Sequence, residues 1–172
     1  MAAAWRYARG IAFSLMGRPA EADQEADAIR NTLSGDLSTL ENASVPARGI
    51  LEIAEDVVRA KAAVARGDFS QARQFAEAAV NVQDKLPYME PPYWYVPVNQ
   101  TLGAILLQSG SPREAAASFR DACAKAPNSA WALYGLMRAE TAAGDEQAAA
   151  NARERFVKAR AGGAQEPSLD RM

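Results

Sequence analysis

Four residues have the type or spacing to do chemistry: Cys123 and the carboxylates Glu52, Glu55 and Asp56. Cys123 is the only cysteine and sits between Ala122 and Ala124 in a stretch of helical periodicity. A thiol nucleophile is normally activated by a base such as histidine, and the 172-residue chain has none. Cys123 therefore reads as a packed thiol. Glu52 and Asp56 are four apart, so a helix places them on one face, where carboxylates could exchange protons. A solvated helix face explains them without a substrate. Without imidazole, and with one cysteine, a zinc site has no ligand set. No Gly-rich phosphate loop follows a strand. The expectation is a non-enzyme with no metal and no cofactor.

The elements that would carry these residues are helical. Hydrophobic residues make up 49% of the chain, much of it Ala, which favours closely packed helices. Runs of Val, Ile and Thr that would mark strands are absent. The formal net charge is −2, with both signs interspersed, so the basic stripe of a nucleic-acid binder is missing. Arg6, Arg9 and Arg18 interrupt the apolar N-terminus before a signal-peptide core can form. No segment has the ~20 apolar residues that span a bilayer. These features predict a soluble, cytoplasmic chain without membrane insertion.

Four turns punctuate the sequence. Gly17, Gly67, Gly110 and Gly144 are each followed by a polar or Pro-containing link, and five residues on by Ala22, Ala72, Ala115 and Ala149. Gly can close a helix in the left-handed conformation. Pro or Asp just beyond can start the next one, and Ala lets the pair approach closely. The intervals between these glycines are 50, 43 and 34 residues. The extra residues fall around Ser34 to Pro46 and Asp84 to Pro92. The pattern predicts eight helices, at about 3–16, 19–33, 47–66, 69–83, 94–109, 112–125, 129–143 and 145–161.

The third unit reads Asn99-x2-Leu102-Gly103-x2-Leu106, then Ala115-x3-Phe119, then Pro127. It resembles the tetratricopeptide repeat, whose pattern is Trp-x2-Leu-Gly-x2-Tyr, Ala-x3-Phe, Pro and whose period is 34 residues. Asn99 and Leu106 replace Trp and Tyr. The resemblance is moderate in the second and fourth units and weakest in the first, where Gly10, Phe13 and Ala22 fit. It implies an all-α fold, a tetratricopeptide-like α-solenoid of about four helix-turn-helix repeats in a right-handed superhelix. The domain would cover 1–161, with repeats at about 3–33, 47–83, 94–127 and 129–161 and a flexible tail at 162–172.

The least generic segment is Tyr88 to Pro97, with four aromatics and three prolines within it. Glu90, Pro91, Pro92, Trp94, Tyr95 and Pro97, followed by Leu102, Gly103, Leu106 and Leu107, resemble a group of bacterial tetratricopeptide proteins. Those proteins carry Glu-Pro-Pro-x-Trp-Tyr-x-Pro before a late repeat. Two readings of the segment stay open. It packs over the seam between repeats with Trp94 as a core plug, or Tyr93, Trp94 and Tyr95 form an insertion surface for a ligand.

The resemblance also implies a groove lined by the first helix of each pair. Tyr7, Lys61, Gln100, Trp131, Tyr134 and Arg138 would then meet a partner, although Trp131 could instead pack between repeats. Aromatic surface with a few donors suits an extended peptide or a partner helix. The expected function is a non-catalytic scaffold for an unidentified peptide or protein. The alternatives are an oligomerising module that self-associates through its N-terminal repeat face, and a small-ligand or enzymatic site near the Pro/aromatic insertion.

Overall fold

The computed structural model describes residues 2–160 and 167–172. The four turn glycines organise what it shows. All four have positive φ, between 68° and 83°. At each turn the next residue's N–H reaches back five residues: Arg18 to Phe13, Asp68 to Ala63, Ser111 to Leu106 and Asp145 to Glu140, at 2.8–3.0 Å. This is the Schellman ending of a helix. The following helix starts in one of two ways. Pro19 and Pro112 occupy a first-turn position where an N–H is dispensable. Asp68 and Asp145 instead accept from the backbone N–H of Gln71 (3.0 Å) and Ala148 (2.9 Å). The Ala five residues after each glycine is buried in every case.

The described residues are all-α, and the chain divides into two compact units, Met1–Tyr95 and Val96–Met172. In the first unit α1 (Ala2–Leu15) pairs with α2 (Pro19–Leu33), and α4 (Ala47–Ala65) pairs with α5 (Phe69–Gln83). Between them lies α3 (Ser38–Asn42), within a segment expected as loop. Five residues are too few to show a helical period. The first hairpin packs both its helices on α4. Ala22, Ala26, Ile29, Ala54, Val58 and Ala62 form the core, closed by Tyr7, Ile11, Phe13, Leu51 and Trp94.

The second unit repeats that connectivity. α6 (Val98–Gln108) pairs with α7 (Pro112–Lys125), α8 (Ala130–Ala143) pairs with α9 (Glu146–Ala159), and α8 packs on both α7 and α6. Phe119 is its centre. A Cβ on Gly103 would lie 2.9 Å from the Phe119 ring, and one on Gly135 would lie 2.2 Å from it. The ring therefore sits against bare backbone of two helices. Asn99 bridges α6 to α7. Its carbonyl accepts from Ser118 (2.8 Å) and its side chain from Lys125 (2.7 Å).

One expectation about a helix limit changes. α6 starts at Val98, four residues later than the periodicity predicts, with Pro97 as its N-cap rather than inside its first turn. Of the tail expected from residue 162, residues up to 166 lie outside the described residues. Residues 167–172 form a 3-10 turn over Leu169–Arg171, and Met172 is only 5% exposed.

Candidate functional site

The residues expected to meet a partner divide between the two units. In the second, α6 and α8 bring four of them together. Ser129 caps α8, accepting from the Ala132 N–H at 3.3 Å, and its hydroxyl lies 3.4 Å from the Gln100 carbonyl oxygen of α6. Two residues along, Trp131 is 40% exposed. Trp131, Tyr134 and Arg138 follow at i, i+3 and i+7, so they share one helix face. Arg138 is exposed, and among the described residues no carboxylate pairs with it. Its guanidinium donates to the Tyr134 hydroxyl at 2.8 Å and lies 5.7 Å from the centre of that ring. Tyr134 itself is 4% exposed, tilted against Phe156 of α9 with centroids 5.5 Å apart. Tyr134 is thus the support under Arg138, and the accessible surface is Trp131 and Arg138.

In the first unit Tyr7 is committed to packing. Its ring meets Trp94 edge-on at 5.3 Å and an interplanar angle of 81°, and burial raises its phenol above the ordinary value. Lys61 is buried on α4. The insertion is anchored the same way. Trp94 closes the core, and the Tyr93 hydroxyl donates to the Ser44 carbonyl at 3.0 Å. Tyr95 is exposed, as is Tyr88, whose hydroxyl donates to Glu90 at 2.9 Å. So Trp94 fills the plug position, and Tyr95 alone of the three named aromatics faces solvent.

The carboxylates of α4 do not form a simple solvated face. Glu55 is buried, held by Arg30 of α2 at 2.6 Å and by Arg59 at 2.7 Å, and Arg59 also binds Asp27 at 2.8 Å. Glu52 and Asp56 line an open cleft of about 420 Å³ with Arg30, Leu33, Ser34, Arg48 and Glu55. Partial burial, then the neighbouring Glu55 charge, push the Asp56 carboxyl up to about 6. Arg30 opposes the shift. A carboxyl whose folded pKa exceeds its unfolded value stabilises the protein below the unfolded value, and that stability is lost as pH rises through the folded one. Asp56→Asn should therefore flatten the stability change between about pH 4 and pH 6 and stabilise the chain at pH 7.5 by about 1 kcal/mol, a figure discounted for solvent screening. Urea melts across pH check this.

The second unit has a comparable cleft of about 550 Å³, where Arg113, Arg120, Glu140, Asp145 and Glu146 meet. Arg120 holds the buried Glu140 there at 2.7 Å. Cys123 is buried, and desolvation raises its thiol above the usual range. Among the described residues no group of three or more His, Cys, Asp or Glu could hold a metal, and no helix is long and apolar enough to cross a membrane. The roles of Ser129 and Phe156 were not visible in the sequence pattern, since each depends on a partner from another helix. No family model matches the chain, and no curated protein matches it.

Proposed function

We propose that the chain is a non-catalytic tetratricopeptide-like module that binds a peptide or partner protein on the α6–α8 face of its second unit. The observation that carries this reading is that exposed Trp131 and the cation of Arg138, which no carboxylate pairs among the described residues, share one face of α8. Trp and Arg are the residues most enriched at binding hot spots. Arg138 is braced by Tyr134 before any partner arrives, so little of its side-chain freedom is lost on binding, and the start of α8 is held by Ser129 with Gln100. The cation favours a partner segment with a carboxylate near an apolar anchor.

The test is selection of a random peptide library on the immobilised chain. Selected peptides should lose at least about tenfold affinity for the Trp131→Ala, Arg138→Ala variant, which is ~1.4 kcal/mol. The two side chains are exposed, so the melting curve should not move. Undiminished binding by the folded variant contradicts the proposal.

A second reading, self-association, is favoured by α1. Trp5, Ala8, Ala12 and Leu15 are exposed on one side, Met16 extends the stripe, and no acid lies on the helix. The spacing is symmetric about residue 10. An antiparallel second copy would set Trp5 against Leu15 and Ala8 against Ala12, with the small residues at the point of closest approach. One helix pair buries less than the ~800 Å² per partner of a standard interface, so the dimer should be weak. Sedimentation above about 100 µM should show it, and Leu15→Asp should abolish it. A strict monomer at that concentration contradicts this reading.

A further inference from the structure

We propose that residues 167–172 are an intramolecular ligand of the second unit, filling a subsite at Thr101 of α6 that accepts short peptides with two apolar side chains three residues apart. This deepens the peptide-binding reading and rests on it. The contact spans 71 residues of sequence: the Thr101 hydroxyl donates to the Met172 carbonyl at 2.6 Å. Thr101 and Met172 are each 5% exposed.

The segment is shaped for the role. Arg171 N–H bonds the Ser168 carbonyl and Met172 N–H the Leu169 carbonyl, both at 3.1 Å. The turn is 3-10, in which residues i and i+3 eclipse. Leu169 and Met172 therefore lie on one side, half-buried and buried, while Asp170 and Arg171 stay exposed. The Ser168 hydroxyl lies 3.1 Å from the Asp170 carboxylate at the start of the turn. Thr101 follows Gln100 on α6, the helix that Ser129 of α8 reaches. On a helix whose residues Val98–Leu106 are all buried, the Thr101 hydroxyl finds its acceptor in the main-chain oxygen of Met172. The long, unbranched Met side chain adapts to the available space.

In cis the segment acts at an effective concentration in the millimolar range, so a contact that is weak in trans keeps the site filled. A partner peptide with the same apolar-x-x-apolar pattern would have to displace it.

The test uses the full chain carrying Leu169→Asp and Met172→Asp to vacate the subsite, and the capped peptide acetyl-Pro-Ser-Leu-Asp-Arg-Met-amide as probe. Capping removes any contribution from terminal charges. The vacated variant, folded by its melting curve, should bind the peptide with a dissociation constant of about 10–1,000 µM and show saturable NMR shifts at Thr101. The unaltered chain should bind at least tenfold more weakly, and Thr101→Val in the vacated background should weaken binding at least fivefold. Equal binding to filled and vacated chains, or no shift at Thr101 in the vacated chain, overturns the inference. Peptide shifts at Thr101 with none at Trp131 would support the subsite even if library peptides fail to use Trp131.

Discussion

Phe119→Ala is expected to lower the stability of the second unit by about 3–5 kcal/mol, the usual cost of emptying a large buried aromatic site. Phe119 is fully buried, and its neighbours cannot collapse into the space easily because two of them are backbone at Gly103 and Gly135. The same geometry predicts a second effect of opposite kind. Gly135→Ala would place a methyl 2.2 Å from the ring, an overlap that displaces α8 from α7 and costs about 1–3 kcal/mol. The two changes should not add. In the Phe119→Leu background, Gly135→Ala should cost much less, because the smaller side chain leaves room for the methyl. Urea melts of the four chains measure this cycle. Strict additivity would mean that the ring does not pack between the two helices as described.

The double change Arg30→Met, Arg59→Met should destabilise the first unit by about 3–5 kcal/mol at neutral pH, because it leaves Glu55 buried without a counter-charge. Glu55 is almost inaccessible, and both arginines reach it within 2.7 Å. Adding Glu55→Met should recover most of the loss, since an apolar residue of similar volume needs no partner. The triple variant is the informative one. If it is as unstable as the double variant, the arginines matter through their packing rather than through Glu55. Equilibrium unfolding followed by circular dichroism distinguishes the outcomes.

The hairpins were legible in the sequence because their signals are local. A glycine that must take positive φ, a Pro or Asp that starts a helix, and an Ala at the crossing point all act within six residues of one another. Leu102-Gly103 and Ala115-x3-Phe119 stood out by their spacing, and the Phe119 ring sits against Gly103. What the sequence hid depends on distant partners. The late start of α6 follows from Trp94 leaving the helical path to close the core of the first unit, with Pro97, itself at ψ 124°, standing outside the helix as its N-cap. Tyr134 lay on the expected face of α8, but its burial depends on Phe156, a helix away. Glu55 looked like part of a charged helix face because Arg30, its clamp, is 25 residues upstream. The seating of Met172 against Thr101 has no local signature at all. For the site, residue type and helical spacing found Trp131 and Arg138, while which neighbours brace them could be read only from the packed helices.

The most direct test of the proposed function is fluorine NMR of the full chain labelled with 5-fluorotryptophan. The three tryptophans report three places: Trp5 on α1, Trp94 in the core of the first unit and Trp131 on the proposed binding face. Titration with a library-selected peptide should shift the Trp131 resonance to saturation and leave Trp94 in place. Saturable binding that leaves Trp131 unmoved would contradict the assignment of the α6–α8 face as the binding surface.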